Sequence, residues 1–320
     1  MVKKKSLIFG ISGQDGAYLS KLLIDKGYEV YGTSRDVQNT DFFRLKALNI
    51  YSQVNLHTVQ INNFQELKNI IEEIQPNEIY NLSAQSSVGL SFQYPLETFE
   101  SICNASLNIL ESIRILKLDT KFYNACSSES FGNTLETGAD ENTAFSPKSP
   151  YGVAKASSYW QVANFRESYN LFACNGILFN HESILRDDKF VTKKIIHFVS
   201  NLIKGKKDIL TLGNLSIKRD WGYAPEYVES MWLMLQEEKA SDFVIGTGEC
   251  NSLENFVKIA FSIAGFNWQD YTRIDKDLFR PSDILISVAN PEKAKNILKW
   301  SSKYKIKDII QEMIEVELKK

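Results

Sequence analysis

Tyr151 and Lys155 stand four residues apart in the run Ser149-Pro150-Tyr151-Gly152-Val153-Ala154-Lys155. On a helix that spacing puts both side chains on one face. An ammonium beside a phenol favours phenolate, so Lys155 is expected to lower the pKa of Tyr151. A phenolate can take the proton of a substrate hydroxyl while hydride leaves the carbon that bears it. Upstream, Ala125-Cys126-Ser127-Ser128-Glu129 closes a β-rich run. The hydroxyl of Ser127 or of Ser128 can hydrogen-bond the reacting oxygen. Glu129 can remove the acidic proton beside a newly formed ketone and then protonate a leaving hydroxyl.

An oxidation needs an acceptor, and Gly10-Ile11-Ser12-Gly13-Gln14-Asp15-Gly16 is the place for one. The first glycine permits a tight turn, the second lets backbone approach a pyrophosphate, and the third allows close helix–strand packing. The helix that follows offers free N–H groups and a positive dipole end to a dinucleotide. At the end of the second strand, Tyr31-Gly32-Thr33-Ser34-Arg35-Asp36 lacks the usual ribose-binding acid. Arg35 can pair with a 2′-phosphate, which favours NADP. Asp36 can instead take the ribose hydroxyls, which keeps NAD open.

These residues need a scaffold that delivers them to one edge. Short β-rich runs alternate with helical patterns: Leu7–Phe9 as a strand, Ala17–Lys26 as a helix capped by Gly27, Glu29–Tyr31 as a strand, Asn55–Val59 as a strand, and Phe64–Ile74 as a helix broken at Gln75-Pro76. Glu78–Leu82 then reads as a strand, Thr98–Leu116 as a helix and Lys121–Ala125 as a strand. That order predicts an α/β fold, a doubly wound parallel (Rossmann) sheet with helices on both faces. The later half is less regular. A strand ends near Leu178–His181, short strands fall within Gly205–Gly213 and at Phe243–Gly246, Ser252–Gly265 is helical, and Pro291–Lys320 reads as a helical tail. No flexible linker divides the chain. A smaller C-terminal substrate lobe, residues 181–214 and 246–320, is expected to interleave with a dinucleotide-binding domain of residues 1–180 and about 215–245.

Bulk composition narrows the classes. The chain has 320 residues, 43% of them hydrophobic and 24% charged, the balance of a globular protein. A net charge of −2 gives no global field for nucleic acid. No apolar run is long enough to span a membrane, and the basic start Met1-Val2-Lys3-Lys4-Lys5 reads as a solvated lead-in. Cys103, Cys126, Cys174 and Cys250 are scattered without CxxC spacing, against zinc and against a disulfide framework. A cytoplasmic protein with no metal is the expectation.

With these motifs in place, the chain resembles the extended short-chain dehydrogenase/reductase family and, within it, the GDP-mannose 4,6-dehydratases. The likeness rests on the glycine loop, on Asn81-Leu82-Ser83-Ala84-Gln85-Ser86-Ser87-Val88-Gly89, on Ser127-Ser128-Glu129 and on the Tyr151–Lys155 run. It continues through Gly176–Ser183, Phe190–Lys194, Leu212–Leu215, Lys218-Arg219-Asp220-Trp221-Gly222 and Arg280-Pro281.

The resemblance implies a catalytic set of Ser127, Glu129, Tyr151 and Lys155, with Ser127 where the family has threonine. It implies cofactor contacts from Gly10, Gly13, Gln14, Asp15, Gly16, Arg35, Leu82, Ala84, Tyr151, Lys155 and His181. It implies a GDP-sugar held by Ser87, Asn180, Lys194, Leu212, Arg219 and Arg280, and a homodimer or homotetramer. The cycle implied is C4 oxidation, loss of water across C5 and C6, and return of hydride to C6. Some positions depart from the family. Ser87 replaces a histidine, the acid expected near Gln60-Ile61-Asn62-Asn63 is absent, and Ile184-Leu185-Arg186-Asp187-Asp188 lacks the expected Pro-Arg-Arg-Gly. Asp36–Thr40 replaces an Arg-Arg-Ser-rich loop that in the family helps build a tetramer and reaches a neighbour's cofactor. GDP-N-acetylglucosamine or a GDP-heptose fits the same pattern. So does a nucleotide-sugar 4-dehydrogenase, reductase or epimerase, which needs Tyr151 and Lys155 but not Glu129. A non-catalytic NADP-binding protein would not need that pair.

Overall fold

Leu7, Ile8 and Phe9 are all fully buried, so the strand that carries them is covered on both faces, as a parallel strand must be. It is β1 (Lys5–Phe9) in a computed structural model that describes residues 3–319; Met1, Val2 and Lys320 lie outside the described residues, so the basic lead-in is seen only from Lys3. β2 (Glu29–Ser34), β3 (Val54–Thr58), β4 (Glu78–Asn81), β5 (Lys121–Ser127) and β6 (Ala173–Leu178) join it in one seven-stranded sheet, completed by the edge strand Phe243–Ile245. The order is Phe243–Ile245, β6, β5, β4, β1, β2, β3, and every pairing is parallel. Strand order reverses between β1 and β4, which opens a crevice at their carboxyl ends.

Helices cover both faces. Gln14–Asp25 and Ala224–Gln236 pack on one side with Ile8, Tyr80 and Tyr123. Phe64–Ile74, Ala105–Leu116 and Pro150–Tyr169 cover the other with Leu7, Phe9, Ile79 and Phe122. Helix Phe64–Ile74 shows why: Leu67, Ile70, Ile71 and Ile74 repeat at helical spacing and are buried, and the Asn63 side chain caps Gln65 N and Glu66 N.

A second core gathers helices Val191–Ile203, Leu253–Ile263 and Ile306–Leu318 around Leu210, Leu212 and Trp221. Two chain crossings join it to the sheet. Asn180–Glu182 pairs with Trp221–Tyr223, and Lys218–Arg219 pairs with Asn251–Ser252 and Ile286–Ser287. Ala294, Leu298 and Trp300 return to the first core.

Two expectations change in detail. The helix read over Thr98–Leu116 is a chain of Pro95–Phe99, a π-helical stretch Glu100–Asn104 and Ala105–Leu116. The helical tail is split into Glu292–Ile297 and Ile306–Leu318, because Trp300 is drawn into the first core and donates to Glu226 O at 2.9 Å.

Candidate active site

The tyrosine helix begins with Ser149, whose hydroxyl accepts from Gly152 N at 3.0 Å, and with Pro150 in its first turn. Gly152 decides how near that helix comes to the end of β5. A Cβ there would lie 2.6 Å from Glu129 O, so only glycine lets the two backbones approach this closely. Ser127 Oγ accepts from Glu129 N at 3.2 Å and hydrogen-bonds the phenol of Tyr151. Ser127, Ser128, Glu129, Tyr151 and Lys155 thus line one cavity of about 390 Å³.

Burial sets the charges in that corner. It pushes the Tyr151 phenol well above its ordinary range, with Ser127 and Arg186 pulling the other way. Lys155 is 6% exposed, donates to Ala125 O at 2.6 Å, and has its ammonium pushed down to about 8 by burial. Its nitrogen lies 5.7 Å from the centroid of the Tyr151 ring. The expected lowering of the phenol by Lys155 is therefore corrected for the free protein, because desolvation of the buried phenol dominates. Glu129 is raised above the usual carboxylate range by burial, against the opposing pull of Arg219 and Arg280.

Those two arginines form the opposite wall. Arg219 is 4% exposed, donates to Ile284 O at 2.7 Å and lies 3.3 Å from Asp283; Arg280 lies 3.7 Å from the same carboxylate. Asp220, next to Arg219, is completely buried and accepts from Thr247 N, Thr247 Oγ1, Gly248 N and Ala289 N. It fixes the strand that presents Arg219. Ser87 and Asn180 line the cavity as well, Ser87 also capping helix Val88–Gln93.

The glycine loop lies beside this wall. Gly10 has φ +86°, and a Cβ would fall 2.8 Å from Leu82 C and Ser83 N, so the ends of β1 and β4 close on each other around it. Gln14 and Asp15 begin the first helix and reach across the cleft. Asp15 Oδ2 is 2.9 Å from His181 Nε2, His181 Nδ1 is 2.8 Å from Phe179 O, and Ser183 Oγ donates to Gln14 Oε1 at 2.8 Å. Burial resists charge on both Asp15 and His181, but their mutual attraction prevails: the carboxyl is held low and the imidazole high. Asp15, His181, Leu82 and Ala84 line the catalytic cavity.

A second cavity, about 620 Å³, runs from Gly10, Ser12 and Ala84 to Arg35, Gln60, Ile61 and Asn62. Arg35 is 81% exposed, with only Glu97 at 3.9 Å. The carboxylate of Asp36 is taken up by its own loop, accepting from Asn39 N at 3.0 Å and Asn39 Nδ2 at 2.6 Å.

Some residues expected at the site do not line either cavity. Gly13, Gln14 and Gly16 are absent from both linings, Gln14 being engaged with His181 O and Ser183 Oγ. Lys194 is exposed and donates to Thr211 O at 2.9 Å, and Leu212 is buried in the second core. Arg186 and Lys189 line the catalytic cavity and escaped the reading of the sequence. Their signal was the charge of the segment that follows His181-Glu182, which was noted only as a departure.

Comparison with known proteins matches this architecture. The chain matches the family described as GDP-mannose 4,6 dehydratase over residues 7–313. It is 40% identical to GDP-mannose 4,6 dehydratase 2 of Arabidopsis thaliana, covering 99% of this chain and 87% of that protein. It is 39% identical to the human GDP-mannose 4,6 dehydratase, covering 98% and 91%. In three dimensions it is similar to a UDP-glucose 4-epimerase of Thermotoga maritima with UDP-glucose (TM-score 0.86, 21% identity, 97% of each chain). It is also similar to a dTDP-glucose 4,6-dehydratase of Bacillus anthracis with NAD (TM-score 0.83, 19% identity, 98% and 96%). With its sequence matched almost from end to end, the chain belongs to the GDP-mannose 4,6-dehydratase family.

Proposed function

We propose that the protein is a nicotinamide-dependent lyase that converts GDP-mannose, or a GDP-hexose of close chemistry, to the GDP-4-keto-6-deoxy sugar. The observation that carries this reading is Glu129. A half-buried carboxylate lining the same cavity as Tyr151, Ser127 and Lys155 is what water elimination needs and simple oxidation does not.

The residues present fit a dinucleotide. Gly10 cradles the crossing of two strand ends, the first helix presents its N-terminus there, and the two cavities continue from that point toward Tyr151 and toward Arg35. Arg35 is exposed, with only a long contact of 3.9 Å to Glu97, while Asp36 is engaged by its own loop, which supports NADP over NAD. A nicotinamide held by these residues would supply the hydride acceptor for oxidation at C4 and the hydride donor for reduction at C6.

The chain's own residues do the rest. Tyr151, oriented by Ser127, takes the proton of the C4 hydroxyl, with the ammonium of Lys155 favouring the phenolate. Glu129 removes the C5 proton, made acidic by the C4 ketone, and delivers it to the C6 hydroxyl, which leaves as water. Arg219 and Arg280 suit the diphosphate of the sugar nucleotide by charge and place. A cytoplasmic enzyme fits the absence of any helix, among the described residues, long and apolar enough to cross a membrane. Exposed Leu96, Leu107 and Trp160, on the helices beside the active-site edge, support self-association as a homodimer or homotetramer.

The test is mass spectrometry of the product after incubation with NADP and a panel of GDP-, UDP- and dTDP-sugars. A GDP-sugar lighter by one water is expected. Oxidation or epimerisation without that loss would assign an oxidoreductase instead.

A further inference from the structure

The catalytic cavity and the Arg35 cavity share three lining residues, Ala84, Ser86 and Lys189. Only Lys189 is charged. It lies in the segment 184–190, between strand Asn180–Glu182 and helix Val191–Ile203. Its neighbour Asp187 is shared with other groups. Asp187 accepts the backbone N–H of Lys189 at 3.1 Å with one oxygen and faces Arg44 Nη2 at 3.4 Å with the other. The ammonium itself rests 5.5 Å from the centroid of the Phe190 ring and makes no ion pair among the described residues.

Arg44 holds this segment against the glycine loop. Its Nε donates to Leu185 O at 2.8 Å and its Nη1 donates to Ser12 O at 3.1 Å. One guanidinium thus ties the backbone of residue 12, which lines the Arg35 cavity, to the backbone that carries Lys189. An extended ligand passing from Arg35 to Tyr151 must cross this junction. So must the phosphates of any ligand that enters the catalytic cavity from the same side.

We infer that Lys189 binds a diphosphate at the junction of the two cavities, and that Arg44 is the positioning residue for the segment that delivers it. The inference rests on the functional reading above for its ligands, since a dinucleotide and a sugar nucleotide each carry a diphosphate. A strongly hydrated ammonium on a flexible stem can serve phosphate oxygens without the fixed geometry that a guanidinium requires. A cation that lines two cavities, and whose carboxylate neighbour Asp187 is shared with Arg44, has charge to offer an anionic ligand at their junction.

Direct binding to the full chain separates the sources. NADPH fluorescence titration reads the dinucleotide; calorimetric titration with GDP reads the sugar-nucleotide side; adenosine 2′-monophosphate, which has no diphosphate, is the control. Lys189→Ala is expected to weaken NADPH, GDP or both by about tenfold, the scale of one charge-assisted contact. Lys189→Arg is expected to recover most of that loss, and adenosine 2′-monophosphate to bind as before. Arg44→Gln should weaken the same ligand, and the Arg44→Gln/Lys189→Ala double variant should bind no more weakly than the worse single variant, as for residues acting through one contact. Unchanged NADPH and GDP affinities in Lys189→Ala, or an equal loss for adenosine 2′-monophosphate, overturns the role of Lys189. Additive losses in the double variant overturn the positioning role of Arg44. These measurements stand apart from dehydration: a wild-type protein that releases no water from any GDP-sugar would sink the functional reading while leaving the diphosphate contact readable.

Discussion

The two walls of the catalytic cavity are built in opposite ways. One comprises Ser127–Glu129 and Tyr151–Lys155, the end of one strand and the start of the next long helix, locked by backbone contact at Gly152. The other comprises Asn180, Arg219 and Arg280, drawn from three distant parts of the chain and held by side chains, chiefly Asp283 and the buried Asp220. The proposed chemistry asks the first wall to hold reacting atoms through rigid elements, where small displacements are costly. It asks of the second wall only charge, for the proposed binding of phosphates. Damage to the first wall should therefore appear mainly in kcat, and damage to the second mainly in KM.

The largest effect is expected from Glu129→Gln, which keeps the shape of the first wall and removes its base. Water loss should fall by roughly 10²–10⁴-fold, with folding and NADPH affinity retained. In the wild type, kcat/KM should be bell-shaped in pH. It falls on the acid side as Glu129, held above the ordinary carboxylate range, becomes protonated, and on the alkaline side near pH 8 as Lys155 loses the charge that favours phenolate. Dehydration by Glu129→Gln at the normal rate would refute the assigned base.

Next in size is Gly152→Ala. The added methyl meets Glu129 O at 2.6 Å and must push the helix away from the end of β5. A stability loss of about 1–3 kcal/mol is expected by denaturant titration, together with a fall in kcat larger than any rise in KM. A pure KM effect would place the sensitivity in the wrong wall.

The smallest effects test the second wall. Arg280→Ala should raise KM for the GDP-sugar by about tenfold with kcat little changed. Lys194→Ala should alter either constant less than twofold, since Lys194 is exposed, bonded to Thr211 O and outside the cavity. Equal losses from both substitutions, measured by steady-state kinetics, would show that the cavity extends further over the second core than its lining residues indicate.

The same contrast explains what could be read from the sequence. The glycine loop, Ser127–Glu129 and Tyr151–Lys155 are local patterns, each placed by one strand end or one helix turn, and the alternation of strands and helices through Ala125 implied the parallel sheet. Arg44, Arg186, Lys189 and Asp283 owe their positions to contacts across the cleft, for which no short spacing exists. The resemblance put Lys194 and Leu212 beside the ligand, yet their elements turn them to solvent and into the second core. The π-helical stretch Glu100–Asn104 was also illegible, because a bulge of this kind inserts no distinctive residue type into an otherwise helical pattern.

The Asp15–His181 and Gln14–Ser183 bridges have one more consequence. They bolt the first turn of helix Gln14–Asp25 to the segment His181–Ser183, from which the chain passes into the second core. Any widening of the cavity at that seam must therefore break both bridges at once, whereas at the Arg280–Asp283 end it need only part an ion pair of 3.7 Å.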